Sequence, residues 1–113
     1  MNHPMNKKEE LLKAFNQDII IKLHAYHRIR KRGINLKMIE EAFKKDDIIE
    51  EYEDDFPYPS VLILGFDDNN TPIHIACAIS EKGLIIITVY VPNDSHWDNT
   101  FKKRRGRSED EMH

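Results

Sequence analysis

Apolar residues recur along this chain with two different periods, and the change from one to the other comes near residue 46. Before it the spacing is helical. NKKEELLKAFN (6–16) places Leu11, Leu12 and Phe15 on one apolar stripe. IIIKL (19–23) is brief and β-branched, so it reads either as a strand or as an extended lead into the next helix. His24 to Arg32 has helical character, and Gly33 stands where a left-handed C-terminal cap favours glycine. Asn35 is placed to cap LKMIEEAFKK, in which Leu36, Ile39 and Phe43 recur at i, i+3 and i+7. RGIN is therefore the corner of a helical hairpin, a feature far commoner than a DNA-reading motif.

Beyond Lys45 the pattern shortens to that of strands: DIIEEY (47–52), SVLILGF (60–66), PIHIACAIS (72–80) and LIIITVYV (84–91). The intervening DDFPYP, DDNNT and EKG are turn sequences. Such short links predict an antiparallel meander. The acidic first strand suits a solvent-facing edge protected by charge. The expected class is α+β, with two to three N-terminal helices packed on one face of a four-stranded antiparallel sheet and the other face open. In the last hairpin, a three-residue loop Glu81-Lys82-Gly83 would pair Ser80 with Leu84, Ala76 with Thr88 and His74 with Tyr90. Ile75, Cys77, Ile79, Ile85, Ile87 and Val89 would then share the opposite, apolar face. Trp97 and Phe101, four apart, would pin one helical turn to the body.

The length of 113 residues fits a single domain, with a core of about 6–101 and a flexible basic and acidic tail at 102–113. The longest apolar runs are much too short to cross a bilayer, for which ~20 residues are needed. MNHPMNKKEELLK carries no apolar segment of the secretory kind, and the single cysteine, Cys77, reads as a buried free thiol. A cytoplasmic location without membrane association is expected. The net charge of −3 hides a segregation that bears on partners. Ile19 to Ile39 holds Lys22, Arg28, Arg30, Lys31, Arg32 and Lys37 with no acid. Glu40 to Asp55 is strongly acidic, and KKRRGR (102–107) is basic again before SEDEMH. A local patch matters more than the sum when the partner is a polyanion.

On a helix His24, Arg28 and Arg32 form a single ridge at i, i+4 and i+8. Guanidinium groups in such a row suit phosphate, which they bind bidentately; a solvated helix face, or pairing with the acids at 50–55, is the plain alternative. His74 lies between Ile73 and Ile75 with Ala76 and Ala78 on its own side, leaving room for a flat group, unless it is simply a half-buried hydrogen-bonded histidine. His24 and His27 make an HxxH without a third ligand, so no metal is expected. Neither a glycine-rich phosphate loop, a GxSxG elbow nor a CxxC is present, and no cofactor is expected.

HAYHRIRKRGI (24–34), IIEEYEDDFPYPSVLILG (48–65), PIHI (72–75), TVYVPNDSHW (88–97) and FKKRR (101–105), taken in order, resemble the motifs of a small bacterial family classed as a domain of unknown function. That family in turn looks like a relative of the RelE/ParE and BrnT toxins of toxin–antitoxin systems. The resemblance implies helices packed on an antiparallel sheet, and an antitoxin partner, commonly of zinc-finger type. It also implies metal-independent RNA cleavage as in RelE-like toxins, free or on the ribosome, although ParE-like relatives act on gyrase. In the ribonuclease reading a ribose 2′-OH attacks the adjacent phosphate. His24 and His74 serve as base and acid in either order, and Arg28 and Arg32 hold the phosphate. Tyr90 positions the ribose or an imidazole, and Lys31, Lys103, Arg104 and Arg105 meet the RNA backbone. The rival expectation is a catalytically silent toxin-fold module that docks on a protein or on nucleic acid through the same ridge.

Overall fold

The computed structural model of the chain describes residues 4–105. Its elements run α1 (Lys7–Gln17), β1 (Ile19–Ile21), α2 (Leu23–Lys31), α3 (Leu36–Lys44), β2 (Asp47–Tyr52), β3 (Ser60–Phe66), β4 (Pro72–Ser80) and β5 (Gly83–Tyr90). The fold is α+β, with three helices and one five-stranded sheet in the order β1-β5-β4-β3-β2. The expected antiparallel meander is β2 to β5. The strand count is five rather than four, because Ile19–Ile21 adds a strand parallel to β5, with Ile19 opposite Leu84 and Ile21 opposite Ile86. Pattern alone could not show this, since the partner lies some sixty residues away. Gly83 admits the junction. Its φ is +142°, and a Cβ there would stand 2.4 Å from the Asp18 carbonyl oxygen. That same oxygen accepts from the Leu84 N–H at 2.8 Å.

Two of the three helices, α1 and α3, begin at a capping asparagine. The Asn6 side chain accepts from Glu9 N at 2.8 Å while the Glu9 carboxylate accepts from Asn6 N at 2.9 Å, closing a capping box on α1. Leu11 and Ala14 are buried and Phe15 stacks on Phe43 with ring centroids 4.5 Å apart, but Leu12 is turned outward. Gly33 takes the left-handed conformation expected after α2 (φ +77°), and Asn35 caps α3 by accepting from Met38 N. From α3, Ile39, Ala42 and Phe43 enter the core and Leu36 does not. Helix α3 lies so close to β3 that a Cβ on Gly65 would meet the Ala42 carbonyl oxygen at 2.1 Å.

All three helices cover one face of the sheet. Val61, Ile63, Ile73, Ile75, Cys77, Leu84, Ile86 and Val89 point into that core. Burial, with a smaller contribution from the Asp46 carboxylate, pushes the Cys77 thiol up to about 12.

Two bulges reset which side chains reach the opposite face. In β5 the hairpin closes with Ser80 opposite Gly83, so the loop holds two residues, Glu81 and Lys82, rather than the expected three. Cys77 then faces Ile86 and Ala76 faces Thr88, leaving Ile87 as an extra residue. The bulge restores the anticipated pairing of His74 with Tyr90, but the shorter loop has already turned Ile85 and Ile87 away from the helices, contrary to the expected apolar face. In β2 the register steps from Ile48–Ile63 to Glu50–Leu62. Because Ile49 is extra, Asp47 and Glu50 lie on the same side although they are three residues apart.

The sheet's second face is half covered by residues 92–105, which form a strap. Trp97 and Phe101 do not make the anticipated helical turn. Trp97 pairs antiparallel with Arg104, and the Arg105 N–H donates to the His96 carbonyl at 2.9 Å. The acids aligned by the β2 bulge hold the strap down: Lys102 Nζ lies 3.2 Å from Asp47, and Arg104 pairs with Glu50. The strap therefore runs to Arg105 and takes in the first part of the basic run at 102–107. The remainder of the expected tail, 106–113, lies outside the described residues. Among the described residues no helix is long and apolar enough to cross a membrane.

Candidate functional site

The strap-covered half of the open face is built on His74. Its position on β4, flanked by the core residues Ile73 and Ile75, turns its ring to the side opposite the helices, where it is completely buried. The Trp97 ring meets it edge-on at 4.3 Å and the Tyr90 ring at 5.3 Å. Nε2 lies 2.7 Å from the Phe101 carbonyl oxygen and Nδ1 lies 3.2 Å from the Tyr90 hydroxyl. A carbonyl can only accept, so Nε2 carries the proton and Nδ1 accepts from Tyr90. Burial lowers the imidazole pKa, and this outweighs the opposing pull of the Phe101 carbonyl and the Glu50 carboxylate. His74 is thus a neutral ring with both nitrogens committed.

Beside it Arg104 lies over the Trp97 ring at 4.6 Å and grips Glu50 with two bonds of 2.9 and 3.1 Å. Partial burial would raise the Glu50 pKa, but the bonds from Arg104 and from the Tyr52 hydroxyl outweigh it and hold the carboxyl below its usual range. The bond to Glu50 likewise raises the Arg104 pKa.

The other half of the open face is a groove of about 530 Å³. Its floor is Ala78, Ile85, Ile86 and Ile87, one wall is Lys22, His24 and Ala25 at the start of α2, and the other is Asp55 to Tyr58. Small Ala78 leaves depth, and the β5 bulge supplies Ile87 to the floor. The Phe56 ring is 94% exposed, extreme for a phenylalanine. Asp55 is fixed on both sides, its carboxylate accepting from Ser60 Oγ and its N–H donating to the Tyr52 carbonyl. Tyr58 Oη donates to Glu81.

Along the groove's rim runs α2, with only Ile29 buried. Its N-cap is Lys22, with no side chain accepting from the first-turn N–H groups, and there is no acid in its first turn. The dipole's positive end and the Lys22 ammonium therefore reinforce one another at the groove mouth. Among the described residues Lys22, Arg28 and Lys31 have no ion-pair partner, whereas Arg30 donates to the Tyr26 hydroxyl at 3.1 Å. Arg32 leaves the helix and reaches the β5 edge, where Nη1 donates to Thr88 Oγ1 at 3.0 Å and to the Val89 carbonyl at 2.9 Å.

The residues expected to form one pocket thus divide. His74 and Tyr90 are joined beneath the strap, and Arg32 is anchored two pairs along at Thr88. His24 lines the groove instead. Ala78, in the groove floor, is four residues from His74 along β4, about 13 Å at the usual strand rise, so the two imidazoles do not share a site. Lys31 is exposed on α2 and Lys103 is exposed on the strap, while Arg104 is committed to Glu50 and Arg105 to the Asp94 carbonyl. Sequence reasoning missed Glu50, Asp55, Phe56 and Trp97 as site residues. DDFPYP registered only as a turn, although an aromatic between an acid and a proline was a visible signal. Among the described residues no group of three His, Cys, Asp or Glu could hold a metal ion.

Fold and site together define a small α+β protein with a cationic helix along an open sheet face. Residues 21–91 match the model of the DUF4258 family, a domain of unknown function, and the chain belongs to that family. The matched stretch holds α2 through β5, the helix and both groove walls included. No curated protein and no solved structure matches the chain.

Proposed function

We propose that this protein binds single-stranded RNA, with the backbone along α2 and a base in the groove, as the toxin-type partner of an antitoxin protein. The observation that carries the reading is the set of cations at Lys22, Arg28 and Lys31, without ion-pair partners among the described residues, beside an apolar slot that presents a bare phenylalanine. A polyanion with flat faces satisfies both: phosphates neutralise Lys22, Arg28 and Lys31, and a base stacks on Phe56. The likeness of the family to RelE/ParE- and BrnT-like toxins supports the antitoxin partner, a zinc-finger protein in the form that likeness implies, and the ribosome as one setting for the RNA.

Cleavage is the second reading, and His24 favours it. Its imidazole lies in the groove wall four residues before Arg28 on α2, where it can take the proton from a 2′-OH while Arg28 faces the phosphate. The acid is then a group other than His74, whose nitrogens are both engaged.

Fluorescence anisotropy with a labelled twelve-nucleotide RNA tests the binding. Log Kd should vary steeply with log salt. Replacing Lys22, Arg28 and Lys31 with glutamine should lower the slope by about two, at roughly 0.7 per lost phosphate contact for a single strand. Binding that ignores salt, or no binding at low salt, refutes the reading. A denaturing gel on the same mixture decides cleavage. Wild type should shorten the strand and His24→Ala should bind without cutting; an uncut strand removes the second reading alone.

A further inference from the structure

We propose that the groove is selective for guanine, with the Asp55 carboxylate as the residue that reads the base. The inference rests on RNA as the ligand and adds which base the site accepts and why.

The slot has a flat apolar floor in Ala78, Ile85 and Ile87 and an exposed ring, Phe56, at its side, and about 530 Å³ is within the range of small-ligand sites. These features would stack any base. What distinguishes the slot is the charge at its ends. Lys22 and His24 line one wall and Asp55 the other, so a nucleotide has one favourable direction, with phosphate toward α2 and base edge toward the carboxylate. Asp55 is not a loose surface acid. The Ser60 hydroxyl and the bond from its own N–H to the Tyr52 carbonyl fix its position. A carboxylate has about four lone-pair sites, so the bond from Ser60 leaves both oxygens able to accept.

Guanine alone among the four bases offers two parallel N–H donors, from N1 and the exocyclic N2, at the spacing of a carboxylate's oxygens. Adenine and cytosine pair one amino group with an adjacent acceptor, which the carboxylate repels. Uracil sets its single N–H between two carbonyls. A bidentate charge-assisted pair in a partly desolvated slot discriminates strongly, because the wrong base leaves the acid facing an acceptor.

The test compares a uridine octamer with octamers carrying one guanosine, adenosine or cytidine at the centre. The single guanosine should tighten binding about tenfold or more, and the other two should not. Asp55→Asn retains an acceptor for Ser60 but presents an amide to the base. It should abolish the guanosine preference, so that the guanosine and uridine octamers bind the variant with equal affinity. Equal affinities for all four octamers overturn guanine selectivity and leave RNA binding standing. A guanosine preference that survives Asp55→Asn overturns the assignment to Asp55. If no octamer binds, RNA as ligand fails; titration of free guanosine against amide chemical shifts then decides the groove separately, since shifts confined to 55–58, 78 and 85–87 support it and none overturn it.

Discussion

Removing the His74 ring separates a structural role from a catalytic one. In His74→Ala the Phe101 carbonyl and the Tyr90 hydroxyl both lose their partner at part-buried positions. Each of these part-buried groups left unpaired costs about 1 kcal/mol, the low end of the range for buried polar groups, and the void under Trp97 adds about 1–4 kcal/mol, giving about 3–6 kcal/mol in all. Against a total of about 5–15 kcal/mol for a domain this is a large share. The thermal midpoint should fall by more than about 10 °C. His24→Ala, at an exposed position, should leave it within about 2 °C. Urea titrations followed by Trp97, the only tryptophan, read the site directly.

The sign of the pH effect is a second handle on the same residue. Burial lowers the folded-state pKa of His74 below 6.5, so the unfolded chain binds more protons between that value and the folded one. Stability should therefore hold above pH 6.5 and decline as pH falls below it. His74→Gln, which cannot titrate, should flatten that part of the profile. Should His74→Ala unfold at the same urea concentration as wild type, the ring is not the fixed, satisfied group described above. Should His74→Gln keep the full wild-type decline, the proton uptake belongs elsewhere.

Other expectations are simpler to measure. Gly65→Ala forces a methyl against the Ala42 carbonyl and should destabilise by about 1–3 kcal/mol in a urea melt, and a neutral result would mean α3 is free to move away from β3. Cys77 should resist iodoacetamide in native protein at pH 8 and react fully in urea, since its thiol is buried and held near 12. The depressed Glu50 pKa stabilises the fold above pH 4.5 and is lost as pH falls through the folded value, so Glu50→Gln should remove part of the acid-induced release of the strap, read as Trp97 exposure.

Local chemistry made much of this fold legible beforehand. The capping residue Asn35, the left-handed Gly33 and the strand-like runs from Asp47 onward are contained in short windows, and they located the helical hairpin and the β2–β5 meander. What stayed hidden depends on distant partners. Ile19–Ile21 is a strand because β5 has an unpaired edge, and the strap is ordered because two bulged acids in β2 face Lys102 and Arg104. The pairing of His74 with Tyr90 was anticipated through a loop length that does not occur, and an extra residue in β5 made up the difference. The site divided for a related reason. Helical spacing placed His24, Arg28 and Arg32 in line, but it carried no information on how far along the sheet that line would end from residue 74.

Ile87 is a dislocation in β5. β1 pairs with β5 only as far as Ile86, and β4 skips over Ile87, so at this one position the strand is gripped from neither side. Two tightly clamped lengths of β5 meet there, and their pleats are out of phase by one residue. The groove floor consequently includes the one residue of β5 that no neighbouring strand holds in register.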